Sequence, residues 1–139
     1  MELKMNAAEV EDFLGEVFPQ MGGRFKVESL SPMQARVRLI VTEADLRPGG
    51  TVSGPAMFTL ADCAFYIAML GMIGKQALTV TTNCSIDFMR KPAAGDLIGD
   101  VVLHKLGRVL AVGDVLIRSE GVEQPVARAS LTYSIPPVR

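Results

Sequence analysis

One apolar segment in the middle of the chain narrows the folds open to it. Between Arg47 and Lys75 the only formally charged side chain is Asp62, and residues 52–71 around it are almost all apolar. The segment predicts a helix over about 54–70 that is apolar nearly all round. Such a helix is stable in water only when other elements wrap it on several sides.

The ends of this segment favour a buried helix over a membrane span. Pro55 suits a first helical turn, where its missing N–H costs nothing, and Gly71 and Gly74 are expected to close the helix. The length is close to the roughly 20 residues of a membrane-spanning helix. However, Asp62 interrupts the run, no basic flank marks a cytoplasmic boundary, and alternating strand-like sequence follows. We therefore expect no membrane partner.

Composition indicates a single domain over residues 1–139. The chain is 49% hydrophobic, enough for a real core, and 14 basic residues nearly balance 15 acidic ones. No polybasic run is present, so we expect no nucleic-acid partner. The first ten residues are too acidic and polar for a signal peptide, which favours the cytoplasm.

The potential metal ligands are few and scattered. Cys63 and Cys84 share no ligand-like spacing, and His104 is the only histidine. Structural zinc sites need four such ligands at characteristic spacings. We therefore predict no metal site, and we expect both cysteines to be free thiols in a reducing compartment.

The remaining elements are a first helix and six strands. Asn6 and Glu9 have the spacing of a capping box, apolar residues then recur at helical period, and Gly22-Gly23 is expected to end this helix. Alternating polarity predicts strands at 25–29, 33–41, 77–89, 96–106, 109–118 and 125–135. In the third of these, strict alternation places Thr81 on the face opposite Cys84.

The order of these elements sets the fold class. A helix, two strands, a buried helix and four strands with short connections are typical of an α+β protein with an antiparallel sheet. Because the second helix is apolar all round, we expect that sheet to curve about it.

Three stretches of sequence resemble one family. Residues 50–65, GTVSGPAMFTLADCAF, resemble the Asn-x-x-Gly-x-x-His-Gly-Gly motif and following Leu-Ala-Asp of the PaaI-like acyl-CoA thioesterases. Residues 80–90, VTTNCSIDFMR, are similar to the strand after that family's helix, and Gly107-Arg108 is similar to its late hairpin. The resemblance covers nearly the whole chain. It implies the hotdog fold, a curved antiparallel sheet wrapped around a long central helix.

The resemblance also implies a reaction and its residues. Asp62 matches the family's catalytic acid, and Gly54 matches the glycine whose backbone N–H polarises the thioester carbonyl. Thr81 matches a hydroxyl residue that faces the site from the partner subunit. The family forms dimers, often paired into tetramers, with sites at the dimer seam. The expected reaction releases a carboxylic acid and free CoA, which enters with the substrate, and requires no cofactor or metal.

Helix geometry agrees with a shared site. Asp62 lies eight residues after Gly54, which is about 12 Å along one helix axis. One protomer's Asp62 therefore cannot reach a carbonyl held by its own Gly54, whereas an antiparallel partner helix can supply one. Asp62 would act as a general base or as a nucleophile, and the sequence does not distinguish these roles.

Three positions depart from the family motif and keep other functions open. Arg47 replaces its asparagine, Ser53 its histidine and Pro55 its second glycine. Ser53 is included in the predicted site as the residue that shapes the helix start, and a plain helix N-cap is its simpler interpretation. The departures motivate one alternative, a non-catalytic acyl-CoA-binding protein. A second alternative, a hotdog hydratase or dehydratase, would need His104 beside Asp62.

The other candidate site residues also have purely structural interpretations. Asp62 could be a structural carboxylate bonded to backbone or to Thr59. Arg90, Lys91 and Arg108 could hold the phosphates of CoA or could be ordinary surface charges at strand ends. His104 is expected to be an ordinary strand histidine because no acidic partner is evident in the sequence.

Overall fold

The computed structural model describes residues 2–137. Two α-helices, α1 (Ala7–Val17) and α2 (Gly54–Ile73), are joined by two short 3-10 turns, Pro19–Met21 and Glu43–Asp45, to one sheet. Its strands are β1 (Phe25–Ser31), β2 (Gln34–Leu39), β3 (Val80–Phe88), β4 (Leu97–Leu106), β5 (Leu110–Ser119) and β6 (Ala127–Ser134). The order of elements is the one that the sequence predicts.

All six strands form one antiparallel sheet in the order β1-β2-β4-β5-β6-β3. The sheet curves around α2, which lies close to its central strands. A Cβ atom at Gly99 would come within 3.3 Å of Leu60, and one at Gly113 within 2.9 Å of Phe65. These two glycines therefore let the helix approach the sheet. The predicted α+β architecture, a curved sheet around a central apolar helix, is confirmed.

Helix α2 is the core of the domain. The Ser53 hydroxyl accepts a hydrogen bond from the Ala56 N–H at its start, and Gly74, with φ of +85°, ends it. Most of its residues are buried, among them Leu60, Phe65 and Leu70. By length and hydropathy α2 could span a membrane, but 78% of its most apolar window is already covered by the domain.

The two helices end at different residues from those predicted. Helix α1 stops at Val17 rather than continuing to Gly22, because Phe18 precedes Pro19 and such a residue disfavours helical backbone. Gly71 does not close α2 but lies inside it. There a Cβ atom would come within 2.9 Å of Leu30, so glycine allows β1 to pack against the helix.

An irregularity in β3 changes which residues face α2. The pairing of β3 with β6 shifts between Thr81 and Asn83, so that Thr81 lies opposite Tyr133 and Cys84 lies opposite Leu131. Such a bulge inserts one residue and reverses the alternation beyond it. Thr81 and Cys84 consequently share the inner face, and the prediction that they face opposite sides is wrong.

Candidate active site

The Asp62 carboxylate is held by two hydroxyl groups from the sheet. Thr81 donates a hydrogen bond to Asp62 Oδ1 at 2.5 Å, and Tyr133 donates to the same oxygen at 2.7 Å. Tyr133 Oη also lies 2.9 Å from the Asp62 backbone carbonyl. The partner considered from sequence, Thr59, instead donates to the Pro55 carbonyl. The Asp62 side chain is therefore bonded to β3 and β6, two neighbouring strands at one edge of the sheet, and not to its own helix.

One oxygen of the same carboxylate remains available. Within residues 2–137, Asp62 Oδ2 makes no hydrogen bond, and the side chain is only partly buried. Two donors on Oδ1 fix the orientation of the carboxylate and satisfy part of its charge. This arrangement leaves Oδ2 free to accept a proton or to attack an electrophile.

Asp62 lies in the wall of a cavity of about 570 Å³. The α1 end of the cavity is largely apolar, with Val17, Phe18 and Met21 facing Phe58 and Tyr66. Volumes of this order are typical of small-molecule sites lined by apolar groups and a few placed polar ones. The full lining is Val17, Phe18, Gln20, Met21, Phe58, Thr59, Asp62, Cys63, Tyr66, Ala77, Thr79, Val80, Thr81 and Tyr133.

Burial keeps the other acidic groups of the site protonated. Burial, together with the nearby Asp62 charge, raises the pKa of the Cys63 thiol to about 12. The same two causes raise the pKa of Tyr133 well above its usual value. A protonated Tyr133 remains a hydrogen-bond donor, and a protonated Cys63 is a poor nucleophile. Neither Cys63 nor Tyr133 therefore offers an ionised group to this cavity at neutral pH.

The first turn of α2 offers a backbone donor. Ala56 N–H is capped by Ser53, Met57 N–H bonds the Ser53 carbonyl, and Pro55 has no N–H. Gly54 N–H has no acceptor in the described part of the chain. The N-terminus of a helix carries partial positive charge, which favours an oxyanion there. Ser53 therefore acts as an N-cap, and Gly54 presents the free donor.

The comparisons with known proteins agree with this architecture. The family model of the thioesterase superfamily matches residues 49–126, which include α2 and the strands β3, β4 and β5. The chain belongs to the thioesterase superfamily. A solved structure from Silicibacter sp. TM1040, provisionally named a thioesterase, is 55% identical with a TM-score of 0.92, covering 99% of this chain and 96% of that one.

Other relatives of this superfamily are more distant. The PaaI phenylacetic acid degradation protein of Thermus thermophilus is 30% identical with a TM-score of 0.71, covering 85% of this chain and 99% of that one. A Streptococcus mutans UA159 protein solved with acetyl-CoA is 26% identical with a TM-score of 0.71, covering 83% and 90%.

A Deinococcus radiodurans protein provisionally named an esterase is 37% identical over 89 residues. That match covers 63% of this chain and spans 58% of the curated relative's length. Together with the family and the solved structures, this likeness supports thioester hydrolysis in general terms.

Thr81 lies beside Asp62 of its own chain and donates a hydrogen bond to it, because the bulge in β3 turns Thr81 toward α2. That Thr81 faces a shared site from the partner subunit, as the family resemblance implies, stays a prediction. Tyr133 was missed as a site residue. The sequence feature that could have identified Tyr133 is its place on the inward face of β6. The other residues of that face, Ala127, Ala129 and Leu131, have no polar atom in the side chain.

His104 belongs to another part of this thioesterase-superfamily domain. It lies 2.9 Å from Asp114, whose other carboxylate oxygen accepts a hydrogen bond from Ser130, and the three line a separate groove with Leu116. The expectation that His104 has no acidic partner is wrong, because the neighbouring strand β5 brings Asp114 beside it. Within one chain His104 and Asp62 line different cavities, so a single chain does not supply the histidine–acid pair of a hydratase.

The three cations proposed for CoA do not cluster within one chain. Arg90 follows β3 and donates to the Pro125 carbonyl at 2.7 Å, with Lys91 exposed beside it. Arg108 instead lines a groove with Lys4 and Ile73 at the far end of α2. Arg47, in the loop before α2, is exposed. A site that used all these charges would have to combine them from more than one copy.

Proposed function

We propose that this protein hydrolyses an acyl-CoA thioester to a carboxylic acid and free CoA. The observation that carries the proposal is the state of Asp62: one carboxylate oxygen anchored by Thr81 and Tyr133, the other unpaired beside a largely apolar cavity. The apolar walls of the cavity suit the acyl chain of the substrate, and the fixed Asp62 carboxylate suits its thioester end. The reaction uses no metal and no cofactor besides the CoA of the substrate.

In the proposed reaction Asp62 acts on the water that attacks the carbonyl carbon, and the Gly54 N–H acts on the carbonyl oxygen. As water attacks the carbonyl carbon, Asp62 takes a proton from it and negative charge develops on the carbonyl oxygen. The Gly54 N–H donates to that oxygen, the C–S bond breaks, and the CoA thiolate leaves and is protonated. If Asp62 attacks instead, a mixed anhydride forms and water then hydrolyses it. In single-turnover hydrolysis in ¹⁸O-water, an unlabelled first product identifies the anhydride route, since water has then attacked the Asp62 carbonyl carbon and left the label on the enzyme.

The two groups are proposed to come from different protomers. Gly54 and Asp62 are about 12 Å apart along one helix, too far to hold a single carbonyl. Strand β3 lies at an open edge of the sheet and spans both groups: Thr81 bonds Asp62, and the Phe88 ring packs 3.5 Å from where a Gly54 Cβ would be. An antiparallel β3–β3 contact would place Thr81 opposite Phe88 of a second copy.

This β3–β3 pairing would complete the proposed site. With the extra residue of the bulge counted, a two-fold axis at Ser85 lies three paired positions from both Thr81 and Phe88, and it brings Gly54 of one copy next to Asp62 of the other. Edge strands with exposed apolar residues readily pair with another chain. Val80 and Phe88 are 56% and 53% exposed in the single chain. The dimer, or a dimer of dimers, is accordingly part of the proposal.

Acyl-CoA is proposed as the substrate class on two grounds. The Streptococcus mutans relative was solved bound to acetyl-CoA. Arg90 and Lys91 follow the same end of β3 that packs on Gly54, where phosphates of an incoming CoA could be bound. The two free thiols, Cys63 and Cys84, agree with a reducing cytoplasm, which is where we propose that the protein binds acyl-CoA.

The test is thiol release from a panel of short, long and aryl acyl-CoA esters, with the wild type and D62N. Asparagine keeps the shape of the side chain but cannot take the proton or attack. We expect D62N to lose about 100- to 10,000-fold in kcat. D12N, at an exposed aspartate of α1 that does not line the cavity, is the matched control and should keep wild-type turnover. Tight acyl-CoA binding with turnover equal in wild type and D62N would identify a binding protein instead.

A further inference from the structure

We infer that Asp45 and Arg24 are positioning residues that fix the Gly54 N–H for the reaction. The inference rests on the proposed function, in which Gly54 holds the carbonyl oxygen. Neither residue touches the cavity that contains Asp62. Both act through the loop that leads into α2.

Asp45 is a buried carboxylate with a full set of partners. Only 7% of the residue is exposed. One carboxylate oxygen pairs with the Arg24 guanidinium at 2.5 Å, and the other accepts hydrogen bonds from the N–H and the hydroxyl of Thr42. Burying a charge is costly unless it is paired and hydrogen-bonded, so the pair fixes the place of Asp45 strongly.

The backbone of Asp45 carries this anchoring to the helix. Its carbonyl accepts the Ser53 N–H at 2.8 Å, and the next residues pair as a bridge between Leu46 and Val52. Residues 45–53 therefore form a small hairpin whose base is Asp45 and Ser53. Gly54 is the next residue after that base. Any shift of Asp45 is passed to the Gly54 N–H through one hydrogen bond and one peptide unit.

The tip of the same hairpin cannot supply this rigidity. Gly49 and Gly50 both have positive φ, at +98° and +80°, and residues 47–50 are exposed. Glycines in such conformations retain the most backbone freedom. The rigid attachment is at the other end, where Arg24 is itself held at the start of β1 by backbone bonds to Met21 and Ile40. The ion pair thus ties the hairpin base to the sheet.

An oxyanion donor is sensitive to small displacements. Misplacement by about 1 Å can cost on the order of 100-fold in rate, and the effect falls on the chemical step. We therefore expect D45N and R24Q to lower kcat about 10- to 100-fold while KM changes less than about threefold. R24K keeps the charge and should recover part of the loss. E43Q, an exposed neighbour in the same 3-10 turn, is the matched control.

The kinetic experiment is paired with hydrogen–deuterium exchange on each folded variant. We expect D45N to increase exchange of the amides from 46 to 54 and to leave β4 and β5 protected. This readout does not need activity: an inactive wild type would overturn the proposed function, and exchange would still report on the positioning. Unchanged exchange in D45N, or an unchanged kcat with only a lower Tm, would overturn the positioning role.

Discussion

The Thr81 hydroxyl lies 2.5 Å from Asp62 Oδ1 because β3 contains a bulge between Thr81 and Asn83. Without the extra residue, Thr81 would point to the outer face of the sheet. The bulge therefore belongs to the candidate site as much as the side chains do. This agrees with the frequent occurrence of bulges next to active sites, where they re-aim a side chain.

The first prediction concerns this hydroxyl. T81V preserves side-chain shape and removes the hydrogen bond, leaving Tyr133 as the single donor to Oδ1. We expect kcat/KM to fall about 10-fold or more, since a hydrogen bond to a charged group contributes roughly 1.5–3 kcal/mol. T132V is the control, because the Thr132 side chain lies on the outward face of β6, on the opposite side of the strand from Tyr133. Equal kinetics for the two variants would show that Thr81 does not serve Asp62.

The parts of the site that the sequence predicted are those governed by local rules. The apolar run, its proline and the spacing from Gly54 to Asp62 all follow from the periodicity and capping of one helix. The residues that bond Asp62 were harder to predict, because the position of Thr81 depends on a bulge that no glycine or proline marks. Tyr133 depends on the pairing of β3 with β6, which are about 50 residues apart in the chain. The alternation of residues 125–135 puts Tyr133 on the same face as Ala129 and Leu131, but it does not show what that face contacts.

The second prediction tests whether the reaction needs the Gly54 N–H or only the space around Gly54. G54P removes the N–H, and the extended Ser53 backbone (φ −75°, ψ 157°) is compatible with a following proline. G54A keeps the N–H and adds a methyl group at ordinary contact distance, 3.5 Å, from Phe88. We expect G54P to lose about 100- to 1,000-fold in kcat, the usual cost of removing one oxyanion donor.

G54A supplies the control for that loss. It should stay within a fewfold of wild type, since the added methyl group needs no movement of the Phe88 ring. Similar losses in both variants would mean that space, rather than the N–H, matters at this position. Circular dichroism of both proteins checks that α2 still forms.

The third prediction is a loss of stability in alkaline solution. Burial, with Asp62 nearby, raises the pKa of Cys63 to about 12 in the folded protein, whereas an unfolded thiol titrates near 8.5. The stabilisation is complete below about pH 8.5 and is lost as pH rises toward 12, because only the unfolded state releases its proton. The slope approaches about 1.4 kcal/mol per pH unit for this group.

Urea unfolding at pH 7 to 10.5 measures this effect. C63A should show a shallower fall in the free energy of unfolding than wild type, with Tyr133 and Tyr66 contributing to what remains. The same variant should retain thiol-release activity, since a protonated thiol takes no part in the proposed reaction. An identical pH slope in C63A would contradict the account of Cys63.

The central claim is that Asp62 and Gly54 act on one substrate from two different chains. Its most direct test is to co-express D62N with G54P, each nearly inactive alone, and to measure thiol release from the mixed oligomers. Random pairing makes half of the dimers mixed, and each mixed dimer contains one intact site. The account predicts roughly a quarter of the wild-type rate. If both residues served one site within a single chain, every site would carry a lesion, and a rate no higher than that of the separate variants would contradict it.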